Sequence, residues 1–187
     1  MTTRSFLFNR EPLWLENRQG LRHKLPDDVQ SWAFESGSLT RRLRSYYGDA
    51  VTVRVLFLRW RKPFLSERRL LQLPEHHYSL TREVLLHADG KPLILARTII
   101  PASTIKVVKS NLSHLGNRPL GEVIFSYPKL ERIAMDVALI NRSMWTQPAI
   151  AVAVMDQPIW GRRTVYAIAH KHMLVSEFFL PEILGVA

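Results

Sequence analysis

Three charged residues stand out in this sequence because each lies inside an apolar run. Arg82 and Arg97 belong to the stretch LTREVLLHADGKPLILARTIIPAS, and Glu177 belongs to MLVSEFFLP near the carboxyl end. A charged group in such surroundings needs a partner, since burying an unpaired charge is costly. The planar guanidinium of arginine binds a carboxylate through two parallel hydrogen bonds. The sequence therefore predicts a pocket for an organic acid or, alternatively, structural ion pairs.

The stretch that carries both arginines has the pattern of a β-hairpin. Two runs rich in Val, Ile and Leu flank Asp89-Gly90, a dipeptide that supplies the positive φ angles of a two-residue turn. If these two residues form the loop, pairing outward from them places Arg82 directly opposite Arg97. Like charges opposed on a sheet repel, unless an anion lies between them. The other reading is that one arginine reaches solvent while the other pairs with a structural acid.

Glu177 lies between Ser176 and Phe178 in the last predicted strand. A carboxylate at that place is either paired with an arginine or is a functional group of the site. Both readings stay open. No metal site is expected, because the adjacent His76 and His77 point to different faces of any regular element and no HExxH spacing occurs. The absence of cysteine excludes thiol nucleophiles and disulfides.

The composition is that of a globular protein, with 47% hydrophobic and 22% charged residues among 187. No apolar run approaches the roughly 20 residues that span a bilayer, and the first residues make a poor signal peptide, so we expect a cytoplasmic protein. The net charge of +10 would draw small anions. It also raises the alternative of an RNA-binding module, although the basic residues are scattered and only Arg59-Trp60-Arg61 interleaves them with an aromatic ring.

Periodicity and turn residues predict the order of the elements. Predicted helices cover residues 26–35, 39–47 with Ser38 as N-cap, 105–115 and 119–125. Predicted strands cover residues 50–61, the two arms of the hairpin, 129–140, 164–169 and 173–181, with a turn at Lys171-His172. Residues 64–77 are predicted as a loop or a turn of helix, 149–154 as a strand or an apolar turn, and 1–24 as an extended surface segment. Short connections between strands indicate an α+β fold with a mostly antiparallel sheet.

Four segments then occur in a recognisable order: LTREVLLHADGKPLILARTIIPAST, LGNRPLGEVIF, WGRR and SEFFLP. In this combination the chain resembles the bacterial chorismate pyruvate-lyases, and SGSLTRRLR resembles them more weakly. The resemblance implies one domain over residues 1–187, with an antiparallel sheet of about six strands, helices on one face and two helical flaps over an internal site. It also implies conversion of chorismate to 4-hydroxybenzoate and pyruvate, without a cofactor, as a source of the ubiquinone ring.

Matched position by position, the family's site residues fall on five residues of this chain. The resemblance implies that Arg82 holds the ring carboxylate and that Glu177 meets the other end of the ring. It implies that Leu39 and Leu120 touch the ligand. Arg97 matches a second arginine, which would take the enolpyruvyl carboxylate. We expect Arg82, Glu177 and Arg97 to be catalytic, in a monomer that binds no nucleic acid and does not insert stably into membranes.

Two segments depart from the family pattern. Residues 139–159 read as an insertion before WGRR, and the first 20 or so residues are unmatched. The rival reading from another class is a non-catalytic ligand-sensing domain of the same fold that binds a small aromatic or organic acid. Such domains follow a winged-helix DNA-binding domain, for which we see no room ahead of the sheet. Retention of both Arg82 and Glu177 favours the enzyme.

Overall fold

Seven antiparallel strands form one sheet in the computed structural model, which describes residues 5–108, 115–153 and 155–186. Across the sheet their order is β1-β5-β6-β7-β4-β3-β2. The strands are β1 (Leu15–Glu16), β2 (Val51–Arg61), β3 (Ser79–Ala88), β4 (Lys91–Pro101), β5 (Glu131–Ile140), β6 (Ile159–Ile168) and β7 (Lys171–Phe179). The α+β class and the antiparallel sheet are confirmed, and the seventh strand is the two-residue β1, which pairs with β5.

Seven helices accompany the sheet in the described residues. They are α1 (Asp27–Ala33), α2 (Leu39–Tyr47), α3 (Leu65–Leu70), α4 (Ala102–Val107), α5 (Leu120–Ile124), α6 (Gln147–Ala153) and α7 (Pro181–Leu184). The predicted N-cap of α2 is present, since Ser38 accepts a hydrogen bond from the Arg41 N–H. The helix ends at Gly48, which has a φ of 58°. The predicted helix 105–115 begins earlier, at Ala102, and its second half lies partly outside the described residues.

The sheet buries side chains on both faces. On one face, Val84, Leu86 and Ile94 pack with residues of α1 and α2. On the other, Leu85, Leu95 and Phe178 pack with α6 and with the amino-terminal segment. Helices therefore cover both faces of the sheet, whereas the sequence had predicted them on one face. We call the first face the cavity face and the second the ionic face, for the ion pairs of Arg97 and Arg163 that lie on it.

The hairpin of β3 and β4 is present, but the predicted register is wrong by one residue. Arg82 lies opposite Thr98, and Arg97 lies opposite Glu83. The register shifts near the turn, where Leu86 pairs with Ile94 but His87 pairs with Pro92, so Leu93 is the extra residue of a β-bulge. Proline has no N–H to donate to the ladder and is tolerated at such bulges. Because a one-residue slip turns every side chain to the other face, Arg82 and Arg97 lie on opposite faces.

Four other local predictions were wrong. The strand predicted over residues 164–169 begins earlier, at Ile159, so WGRR lies inside β6, and the turn before β7 is formed by Ala169 and His170, both with positive φ. The apolar run around residue 150 is the helix α6. Residues 5–8 do not run over the surface, because Ser5, Leu7 and Phe8 are buried. In the part of the chain that the structure describes, no helix is long and apolar enough to cross a membrane.

Candidate functional site

A cavity lies between the sheet and the amino-terminal ends of α2 and α5. The sheet supplies its floor from β2, β3, β4, β6 and β7, and most of the lining is apolar. The sheet contributes four polar side chains to that lining, and the helical side adds the hydroxyls of Ser38 and Thr40. The four on the sheet are Arg82, Thr98, Tyr166 and Glu177. A largely apolar cavity with a few convergent polar groups is the usual form of a small-molecule site.

Arg82 occupies one part of this cavity with only 2% of its surface exposed. Its Nη2 donates to the carbonyl oxygens of Gly116 and Arg118, each at 3.0 Å. Within the described residues its Nε has no hydrogen-bond partner. Burial lowers the pKa of Arg82 to about 10, so the guanidinium remains charged at neutral pH. Two carbonyls thus hold the cation from one side, and its Nε–H has a hydrogen-bonding capacity that no described residue uses.

The ends of two helices meet above Arg82. Leu39 in the first turn of α2 and Leu120 in the first turn of α5 both line the cavity. The helices touch where Gly121 faces Ser38: a Cβ at residue 121 would lie 2.6 Å from the Ser38 Oγ. The absence of a side chain at this glycine therefore permits the two helices to close over the cavity. Farther out, Arg44 and Glu122 form an ion pair between them.

Glu177 lies on the cavity face of β7, and Arg162 of β6 lies directly opposite it. The Arg162 Nε donates to the Glu177 Oε2 at 2.8 Å. Arg162 itself is 1% exposed and does not line the cavity, whereas the Glu177 side chain is 15% exposed and does. No residue described by the structure donates a hydrogen bond to the Glu177 Oε1. Glu177 is thus both paired with an arginine and open to a ligand, which joins the two readings of the sequence.

Arg97 is not part of this cavity, contrary to its predicted place beside Arg82. On the ionic face its Nε and Nη2 donate to the two oxygens of Glu67 at 2.7 and 3.0 Å, and its Nη1 donates to Glu83 at 2.6 Å. Burial alone would lower the pKa of Arg97, but the two carboxylates outweigh it and hold the pKa above its ordinary value. The bulge at Leu93 explains the error, because it places Arg97 on the face away from the ligand cavity.

The sequence also contained a signal for Arg162 that the prediction missed. The strand was predicted to begin at residue 164, directly after WGRR, which left Arg162 and Arg163 without assigned faces. Within a strand, adjacent residues point to opposite faces. The structure shows this alternation, because Arg162 bonds Glu177 on the cavity face and Arg163 bonds Asp136 on the ionic face at 2.7 Å.

The sequence of the chain matches a known family over nearly its whole length. The family model described as chorismate lyase matches residues 9–186. The chain belongs to the chorismate lyase family. A protein of Methylococcus capsulatus named "Probable chorismate pyruvate-lyase" is 42% identical over 158 residues, which cover 84% of this chain and 98% of that protein. A protein of Methylobacillus flagellatus with the same name is 34% identical, over 91% of this chain and 94% of its own.

Solved structures with the same fold include effector domains of transcription regulators. The effector domain of PhnF from Mycobacterium smegmatis matches with a TM-score of 0.58 at 16% identity, over 80% of this chain and 91% of that one. The ligand-binding domain of a putative GntR-family regulator from Bordetella bronchiseptica matches with a TM-score of 0.51, also at 16% identity, over 72% and 88%. At such low identity the likeness establishes a shared fold and carries no statement on activity.

Proposed function

We propose that this member of the chorismate lyase family is a chorismate pyruvate-lyase, which converts chorismate to 4-hydroxybenzoate and pyruvate. One observation carries the proposal: the charged side chains of Arg82 on β3 and Glu177 on β7, two strands separated by β4, line the same largely apolar cavity. Such a cavity suits a flat ring with a carboxylate at one end and a hydroxyl at the other. The relatives' names supply the substrate.

Arg82 is the group proposed to hold the ring carboxylate. Its guanidinium is charged, fixed by two carbonyl oxygens and left with an unused Nε–H among the described residues. A buried cation held in place by the protein binds an anion without reorganising. The side chains of Leu39 and Leu120 would contact the ring from the helices above.

Glu177 is proposed to act at the opposite end of the ring. In the reaction the C3–O bond breaks, the C4 hydrogen leaves as a proton, and the released enolpyruvate takes up a proton to become pyruvate. The Glu177 carboxylate either accepts the C4 proton or accepts a hydrogen bond from the 4-hydroxyl. Both roles need an unprotonated oxygen, and Oε1 is the oxygen not engaged by Arg162. Because the product ring is aromatic, positioning supplies much of the catalysis.

Arg97 has no part in this proposal. Its guanidinium is engaged by Glu67 and Glu83 on the other face of the sheet, so the enolpyruvyl carboxylate needs a different partner. We further propose that the reaction needs no metal or organic cofactor, that the protein acts as a cytoplasmic monomer of one domain, and that 4-hydroxybenzoate supplies the ring for ubiquinone. These statements follow from the resemblance of the sequence to the family.

The proposed function is tested by incubating the purified protein with chorismate in the presence of a chelator and measuring both products by chromatography. Equal amounts of 4-hydroxybenzoate and pyruvate, formed in proportion to enzyme, are expected. Chorismate that binds but stays unchanged would overturn the proposed lyase activity and favour a ligand-sensing domain. Activity that appears only after a metal is restored would contradict cofactor independence alone.

A further inference from the structure

Arg162 is a buried arginine whose contacts connect the cavity to the helical layer. Besides the Nε bond to Glu177, its Nη1 donates to the carbonyl oxygens of Glu35 at 2.8 Å and Ala33 at 3.1 Å. The Trp32 carbonyl is 3.5 Å away. These carbonyls belong to the carboxyl end of α1 and the connection that follows it, which leads within a few residues into α2. One guanidinium therefore contacts both Glu177 and the chain that enters a wall of the cavity.

Rigid planar geometry makes this contact specific. A guanidinium presents its donors in fixed directions, so the carbonyls on Nη1 fix the direction of the Nε–H that meets the Glu177 Oε2. The carboxylate is then held with its second oxygen available to the cavity. Lysine has the charge but a single flexible ammonium, which does not reproduce two sets of contacts in fixed directions.

We propose that Arg162 is a positioning residue of the active site, which acts through Glu177 by fixing one oxygen of that carboxylate and leaving the other free to meet the ligand. The inference rests on the proposed function in assigning Glu177 to the reaction. Arg162 does not touch the substrate, because it is 1% exposed and absent from the cavity lining.

The competing explanation is that Arg162 only stabilises the end of α1. Its sequence neighbour provides a matched control, because Arg163 lies on the same strand, is also buried and pairs with a carboxylate, Asp136, at a similar distance. Arg163 points to the ionic face, away from Glu177. Loss of either arginine leaves a buried carboxylate without its partner and lowers stability. Only the loss of Arg162 should change the chemistry.

The test compares R162K and R162M with R163K and R163M by steady-state kinetics. We expect kcat of R162M to fall about 10- to 100-fold, part of the factor that a positioned base provides, with KM changed less than about threefold. R162K should recover part of the loss. The Arg163 variants should keep the wild-type kcat and KM.

A double-mutant cycle covers the case in which R162M does not fold. If Arg162 acts through Glu177, R162K lowers kcat in the wild type but has no further effect in the E177Q background. Independent, multiplying effects of the two substitutions would overturn the inference, as would a kcat of R162K equal to that of the wild type.

A binding measurement separates this inference from the proposed function. Calorimetry with 4-hydroxybenzoate and with benzoate, which lacks the hydroxyl, reports on Glu177 without any turnover. R162K should weaken binding of 4-hydroxybenzoate more than that of benzoate, whereas R163K should affect neither. A wild-type protein without lyase activity would refute the proposed function, and equal losses for both ligands would refute the positioning role.

Discussion

At the scale of single residues, the site depends on two buried charges that are held in different ways. Arg82 is bonded by two backbone carbonyls, which carry no net charge, so it keeps its full positive charge for a ligand. Glu177 is bonded by a cation, the guanidinium of Arg162. The cavity therefore presents a positive group at one place and a negative group at another. That arrangement orients a ring that carries a carboxylate and a hydroxyl.

Binding of a simple carboxylate should follow the protonation of Arg82. Because burial lowers the pKa of Arg82 to about 10, the guanidinium is charged below that pH and becomes neutral above it. Benzoate is the suitable probe, because it lacks the phenolic hydroxyl that would itself titrate in this range. Its affinity should be constant between pH 7 and 9 and fall as the pH rises through 10. Calorimetric titration checks this, with circular dichroism at each pH to verify folding. R82M should bind no benzoate at any pH, and a flat profile in the wild type would contradict the assignment.

At the scale of elements, the cavity depends on two helix ends that meet without a side chain between them. Gly121 of α5 faces Ser38 and Thr40 of α2, whose hydroxyl oxygens lie 2.6 and 3.6 Å from the place of a Cβ on residue 121. Both helices carry residues of the cavity wall. Their separation therefore sets how closely the cavity encloses a ligand.

Replacing Gly121 with alanine should separate these helix ends. Overpacking of this kind costs about 1–3 kcal/mol, and the loss should fall on binding, because the ligand needs both helices. We expect G121A to weaken 4-hydroxybenzoate binding by about tenfold or more and to raise KM for chorismate. The matched control is G185A, since Gly185 has a negative φ and no atom within 4 Å of its Cβ position. Equal affinities of the two variants would show that the close contact is unimportant.

The ion pair of Arg44 and Glu122 should slow the opening of the same two helices. Both side chains are partly exposed, so the pair contributes only about 0.2–1 kcal/mol, which corresponds to a change of up to about fivefold in a rate. In R44E two carboxylates face each other, and dissociation of 4-hydroxybenzoate should become faster by that factor. Stopped-flow measurement checks this. The exchanged variant R44E/E122R re-forms the pair with its charges reversed and should restore the slower rate; failure to restore it would show that the ion pair does not set the rate.

The hairpin shows where reasoning from the sequence succeeds and where it stops. Its existence could be predicted, because Asp89-Gly90 specifies a tight turn and both residues have positive φ in the structure. Its register could not, because the consequence of Pro92 is a bulge at Leu93 that depends on the neighbouring strand and on packing. Charge in an apolar strand was enough to select Arg82 and Glu177. The same signal also selected Arg97. Only the register of β3 and β4 shows that Arg97 lies on the ionic face, away from the cavity.

Helix α6 shows a second limit. The run AIAVAV is equally apolar on all sides, so its periodicity does not distinguish a strand from a buried helix. Contacts far along the chain decide the outcome, because Ala149 and Ala153 pack against Leu95 and Phe178 of the sheet. The segment 139–159, which we read as an insertion relative to the family, contains this helix, and its evolutionary origin stays a prediction.

At the scale of the whole molecule, the sheet separates a ligand cavity from a layer of buried ion pairs. On the ionic face, Arg97 binds Glu67 and Glu83, and Arg163 binds Asp136. The amino-terminal segment closes this layer, since the backbone N–H groups of Phe6 and Leu7 and the Ser5 hydroxyl donate to Glu83. Glu83 follows Arg82 in β3, and Arg97 follows Ala96 in β4. Each residue of this ion pair is therefore adjacent in the chain to a residue that lines the cavity on the opposite face. Stability of the ionic layer thus helps to fix the strands that carry the site.

Loss of Arg97 should therefore reduce the stability of the protein without removing any ligand contact. R97M leaves Glu67 and Glu83 buried with no cation between them, and breaking a buried ion pair in this way costs about 3–5 kcal/mol. Urea unfolding at pH 7, followed by circular dichroism, should show a much lower midpoint than in the wild type, while R97K, which keeps the charge, should lie between them. The control is R18M, because the Arg18–Glu16 pair is exposed and its loss should leave the midpoint nearly unchanged. Equal midpoints for R97M and R18M would contradict a stabilising role of the ionic layer. An R97M variant with wild-type stability that had lost only ligand binding would instead assign Arg97 to the ligand site.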